Sequence, residues 1–123
     1  MKYLLIVLGG GVGSLTRYLL GAAIVTRYGT RFPIVGTMAI NVTGSFLIGL
    51  LSVLITERFA ANVNLRPLLV IGFLGGYTTF SSFEWETYSA IRAGGFWVGM
   101  FNVVGSVLFG YAAVWLGAML ARR

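Results

Sequence analysis

The chain is expected to be an all-α membrane protein of four transmembrane helices, the third of them broken in mid-membrane. Three observations predict this. Of 123 residues, 58% are hydrophobic and only 10% are charged, with a mean hydropathy of +0.90; a soluble domain carries about 25% charged residues. The apolar residues fall into four runs, separated by charged or proline-containing stretches. The third run contains Gly72-Phe73-Leu74-Gly75-Gly76-Tyr77-Thr78-Thr79-Phe80-Ser81-Ser82-Phe83. Three glycines with four Ser and Thr side chains suit a continuous lipid-facing helix poorly, since each interior glycine costs about 1 kcal/mol relative to alanine. Backbone groups freed in hydrocarbon must find partners in protein, water or an ion, so a break there predicts an ion or substrate site.

The four spans make one transmembrane domain over residues 1–123. The first, 3–25, closes on Thr26-Arg27-Tyr28-Gly29-Thr30-Arg31. The second, 34–55, follows Pro33 and ends at Glu57-Arg58. The third, 67–91, starts after Arg66 with Pro67 in its first turn, where a missing N–H costs nothing. The fourth, 96–120, closes on Arg122-Arg123. Each run is near or above the ~20 residues needed to cross a bilayer. The first is too long for the apolar region of a signal peptide and lacks a small-residue cleavage pattern.

Composition narrows the chemistry. There is no cysteine and no histidine, and the carboxylates number three: Glu57, Glu84 and Glu86. Disulfides, thiol chemistry and the usual metal and acid–base constellations are thereby removed, and an enzyme is not expected. The net charge of +6 does not indicate nucleic acid, because the basic residues sit mainly at span ends, where they face lipid head groups. The run Gly9-Gly10-Gly11-Val12-Gly13 matches no nucleotide-binding loop and lies within a span.

Four spans put both termini on one side, with Lys2, Arg58, Arg66, Arg122 and Arg123; the other side has Arg27, Arg31 and Arg92. Five against three is a weak bias, compatible with one fixed orientation or with insertion both ways and an antiparallel dimer. Small residues four apart recur at Gly9/Gly13, Ser45/Gly49, Gly72/Gly76, Gly95/Gly99 and Ser106/Gly110. They serve packing within the chain, and their presence on every helix also predicts a homo-oligomer.

Polar side chains form stripes at helical spacing: Thr37, Asn41, Ser45 and Ser52 on the second span, and Asn102, Ser106 and Gly110 on the fourth. In the third, Thr79, Ser82 and Glu86 share one face, and Phe80, Phe83 and Thr87 the next. Single Ser and Thr residues serve as interhelical glue or bond their own preceding turn. Asn41 needs several partners at mid-membrane depth, so stripes on three helices predict a hydrated track. Arg17 is read as satisfying helix-end carbonyls or reaching for the interface. Glu84 and Glu86 approach the far membrane face.

The segment from Gly72 to Phe83 closely resembles the GFxGGxTTFSTF signature of the Fluc (CrcB) fluoride channels. Gly36-Thr37-Met38-Ala39-Ile40-Asn41-Val42-Thr43-Gly44-Ser45-Phe46 resembles their second-helix motif, and Gly9 to Tyr18 their first-helix motif ending in Arg. The resemblance covers essentially the whole chain. It implies a dual-topology antiparallel homodimer in a cell inner membrane, with two fluoride pores built from both subunits. It also implies a central structural Na+ held by backbone carbonyls at Gly75 and Thr78. Phe80 and Phe83 match the family's pore phenylalanines, whose positive ring edges can meet a partly dehydrated anion. Asn41 would donate its amide to fluoride, beside the hydroxyls of Thr79, Ser81 and Ser82. Ser106, Asn102 and Glu86 match further pore positions, and Arg17 the helix-end arginine. Ser82 stands where the family more usually has Thr, and Glu84 and Trp85 where small residues are expected. The resemblance implies passive, selective fluoride export. A proton-coupled small multidrug-type transporter would need an embedded carboxylate, and none lies in the first span; a non-transporting structural subunit would leave Asn41 and the stripes unexplained.

Overall fold

The computed structural model describes residues 1–29 and 33–123; Thr30 and Arg31, placed above beyond the first span, lie outside them. Its elements are α1 (Lys2–Tyr28), α2 (Pro33–Glu57), a π-helical segment (Arg66–Leu74), the single turn α3 (Gly75–Tyr77), α4 (Phe80–Arg92) and α5 (Phe96–Ala121). No strand occurs among the described residues. α1, α2 and α5 are each long and apolar enough to cross a membrane. The segment expected to be the third span is divided, and none of its pieces reaches that length alone. The long helices run slightly past the apolar runs because Arg27 and Glu57 can continue a helix into the head-group layer while keeping their charges wet.

The break is narrower than the sequence suggests. Gly72 is π-helical, and Gly75 and Gly76 lie in α3. Only Thr78 (φ −82°, ψ 158°) and Thr79 (φ −151°, ψ 123°) leave the helix for extended backbone. The glycines serve close approach instead. A Cβ on Gly9 would fall on the Leu68 carbonyl, one on Gly13 on the Phe73 carbonyl, and one on Gly76 on the Gly10 carbonyl. α1 therefore lies backbone to backbone against the π-helical segment and α3.

α2 packs along α5 in the same way. Gly49 faces the Val114 carbonyl, and Gly117 faces the Phe46 carbonyl and the Leu50 nitrogen. Gly99 faces Ile91 across the α4–α5 hairpin. That hairpin turns at Gly94, whose φ of 83° suits glycine, with Gly95 N donating to the Ala90 carbonyl at 2.9 Å. The small-residue pairs Gly9/Gly13, Gly72/Gly76, Gly95/Gly99 and Ser45/Gly49 are thus occupied by packing within one chain. They carry no argument for an oligomer.

A small core of Ile40, Leu74 and Tyr77 sits where α2 meets the third span. The Tyr77 hydroxyl lies 2.8 Å from Thr43 Oγ1 and is hydrogen-bonded to it. The outward faces of α1 and α5 are apolar, with Val7, Leu15, Val107 and Tyr111 among their exposed residues. At the end of the bundle that carries the termini, Arg122 Nε approaches Glu57 Oε1 at 3.7 Å and ties α5 to α2.

Candidate functional site

The two extended residues leave the Thr79 N–H and C=O outside the helical ladder, and α2 supplies their partners. Asn41 Nδ2 donates to the Thr79 carbonyl at 2.8 Å, and Asn41 Oδ1 accepts from the Thr79 N–H at 2.8 Å. Restarting the helix needs an N-cap, and Thr79 provides it: its Oγ1 accepts from Ser82 N at 3.3 Å and lies 3.1 Å from Ser82 Oγ. On the other side of the break, Thr78 Oγ1 donates to the Leu74 carbonyl at 2.9 Å and closes the preceding turn.

The break opens onto a groove of about 400 Å³ between α2, the third span and α5. Asn41, Gly75, Thr78, Thr79, Phe80, Phe83 and Ser106 come together there, and no charged residue is among the described lining. Asn41 has spent one of its two amide N–H groups on Thr79 and keeps the second. Phe80 and Phe83 are paired at 5.6 Å between ring centroids with 37° between planes. Phe83 is buried at 7% exposure, whereas Phe80 is 74% exposed.

Asn102 does not reach the groove. It is fully buried behind Ser106, donating to Thr87 Oγ1 at 2.8 Å and accepting from Ser106 Oγ at 3.4 Å. Thr87 in turn donates to the Phe83 carbonyl at 2.8 Å, so the groove's inner ring is tied to α5 through two side chains. Thr87, placed on one face with Phe80 and Phe83 by its spacing, both bonds its preceding turn and accepts from Asn102 across the helices. Ser82 and Arg17 line a different groove, between α1 and the start of α4, which Thr79 shares. Arg17 makes no ion pair or side-chain hydrogen bond among the described residues. Ser81 and Glu84 are exposed. Glu86 stands apart from the break and accepts from Thr37 Oγ1 at 2.6 Å.

No group of three or more acidic, His or Cys residues that could hold a metal occurs among the described residues. What the break offers a cation is neutral backbone oxygen. Nothing of this chain lies within 4 Å of a Cβ built on Gly75, so that turn presents bare backbone outward.

The family model described as CrcB-like protein, Camphor Resistance (CrcB), matches residues 4–118. The chain belongs to the CrcB-like family. Among its relatives, a protein of Solibacter usitatus named fluoride-specific ion channel FluC is 68% identical over the full length of both chains. One of Coxiella burnetii with the same name is 48% identical, covering 100% of this chain and 99% of its own. A third, from Hydrogenobaculum, is 46% identical over 98% of this chain and 97% of its own. Membership places the protein among multi-pass membrane proteins that are not enzymes, in keeping with its three apolar helices of spanning length.

Proposed function

We infer that the protein is a passive, fluoride-selective channel that lets the anion leave the cytoplasm across an inner membrane. The observation that carries this is the groove at the break, where a spare Asn41 N–H and the Phe80–Phe83 pair converge with no charge. A fixed cation would hold a small anion too tightly for release, whereas donors and ring edges can replace part of its water and let it go. The relatives' shared name supports the choice of fluoride. Entry of the weak acid HF and its dissociation at cytoplasmic pH supply the outward gradient.

In this reading α1, α2, the divided third segment and α5 make the four spans of a single domain. The groove is completed by a second, antiparallel copy. Phe80 is 74% exposed and Gly75 is bare at what would be mid-membrane depth, surfaces that a partner covers better than lipid does. Na+ suits the backbone oxygens at Gly75 and Thr78, because a hard, singly charged cation accepts neutral carbonyls. Such an ion, when bound, supplies positive charge between two copies; the chain's own part is to hold Thr78 extended. Ser81, Ser82, Glu86 and Arg17 then line the approaches rather than the narrow part.

The test is efflux from proteoliposomes loaded with fluoride or chloride, followed with ion-selective electrodes. Fluoride should leave rapidly and chloride should stay. Equal rates, or no flux from the purified protein, would overturn the reading.

A further inference from the structure

The single turn α3 has one side chain. Of Gly75, Gly76 and Tyr77, only Tyr77 has anything beyond backbone with which to hold its direction. One helical turn fixes several dihedrals for little hydrogen bonding, and two glycines widen its freedom. Its neighbours along the chain help little: Gly75 N donates back to the Gly72 carbonyl, and on the far side Thr78 leaves the helix. From α1, Ser14 Oγ reaches the Gly76 carbonyl only at 3.5 Å, longer than a good O–H···O bond. The turn nevertheless carries Gly75 in the wall of the groove and delivers Thr78 to it.

Tyr77 is anchored on α2. It is buried, with Phe73 stacked on its ring at 5.7 Å between centroids. A Cβ built on Gly44 would come within 3.4 Å of the Tyr77 ring and would fall on the Thr78 methyl. The bare backbone of Gly44 is thus a notch that receives both residues, at the edge of the groove that Gly44 also lines. Beyond the notch the phenol ends 2.8 Å from Thr43 Oγ1, which is itself tied to the Ala39 and Ile40 carbonyls at 2.8 and 3.0 Å. Phenylalanine would fill the same apolar volume without a hydroxyl to satisfy, so packing alone does not account for the phenol. Its hydrogen bond adds direction. With Asn41 holding Thr79, α2 grips the break on both sides of Thr78.

We propose that Tyr77, seated on Gly44 and bonded to Thr43, is a positioning residue of the conduction path, fixing the rotation of α3 and with it the place of Gly75 and Thr78 in the groove. Tyr77 is absent from the described lining, so it acts through those two residues. This role rests on the channel reading, since conduction is what the positioned groove serves.

The test compares full-length wild type with Tyr77→Phe, Thr43→Val, Thr43→Ser and the Tyr77→Phe/Thr43→Val double variant. Fluoride efflux from proteoliposomes is measured per folded protein, with melting curves to fix the folded fraction. Tyr77→Phe and Thr43→Val should each lower efflux about three- to tenfold, the effect of one net hydrogen bond, at an unchanged folded fraction. The double variant should be no slower than either single one, because the same bond is lost in all three. Thr43→Ser keeps the hydroxyl and should keep most of the efflux. Losses that multiply in the double variant, or a Thr43→Ser as slow as Thr43→Val, would overturn the proposal. Wild-type efflux in Tyr77→Phe overturns it alone, whereas no efflux from wild type overturns it together with the channel reading. If Tyr77→Phe does not elute as folded protein, Thr43→Val against Thr43→Ser decides: a slow Val and a fast Ser support the anchor, and equal rates overturn it.

Discussion

Asn41 grips the backbone of Thr79 on both sides, donating to its carbonyl and accepting from its N–H, each at 2.8 Å. One side chain thereby does for a broken helix what a neighbouring strand does for a β-bridge, and it still keeps an N–H for the groove.

Asn41→Asp separates these tasks. The carboxylate can accept from the Thr79 N–H but cannot donate to the Thr79 carbonyl, which is left without its partner. Losing such a bond costs about 1–3 kcal/mol. Thermal unfolding of the purified variant should show that loss, and fluoride efflux should fall by more than the fraction unfolded. Wild-type efflux would remove Asn41 from the path.

The Phe pair should divide by exposure. Phe80, at 74%, rests mainly on nothing in its own chain, so Phe80→Ile should lower fluoride flux while changing stability little. Phe83, at 7%, is packed, and Phe83→Ala should destabilise by about 3–5 kcal/mol. Paired melting curves and efflux rates distinguish the two behaviours.

Gly13 and Gly11 are two residues apart on α1 but face opposite circumstances. A Cβ at Gly13 meets the Phe73 backbone, and Gly13→Ala should cost about 1–3 kcal/mol through forced separation of the two segments. At Gly11 nothing of this chain lies within 4 Å, and Gly11→Ala should hold or gain about 0.5–1 kcal/mol from helix propensity. Denaturation of both in the same detergent checks the sign. A loss at Gly11 comparable to that at Gly13 would mean that a second chain covers α1 there.

Asn102→Leu tests the tie between α5 and the groove. The substitution leaves Thr87 Oγ1 without its donor and Ser106 without its acceptor. With Thr87 still bonded to Phe83, the cost should be about 1–3 kcal/mol. Fluoride flux should fall too, because the backbone behind Phe83 loses its brace, whereas Ser106→Ala should lower flux with a smaller stability loss.

Much of this architecture was legible in the chain. Apolar runs bounded by Arg and Glu mark the long helices, and the Gly72–Phe83 stretch marks the third span as discontinuous. The place of the discontinuity was not legible, because glycine reads as a helix breaker when its neighbours are unknown. Here Gly72 and Gly76 are helical, and their missing side chains are used by α1. Asn41 was recognisable as a residue in need of partners; that its partner is a backbone peptide of Thr79 depends on how α2 meets the third span. Asn102, grouped with Ser106 by spacing, sits one layer deeper, since a fourfold repeat fixes a face but not a depth. The contact of Glu86 with Thr37 was not legible either, because it needs the start of α2 to meet α4, and spacing along one helix does not give that.

The clasp at Thr79 also bears on how the protein is made. A segment leaving the translocon as an ordinary helix arrives with its backbone already satisfied, and can wait alone in lipid. The third segment in its broken form is different, because the N–H and C=O of Thr79 are completed by a side chain of α2. Taking up the break is therefore tied to docking on α2, whose side chain must be in place before these backbone groups can leave the helical ladder.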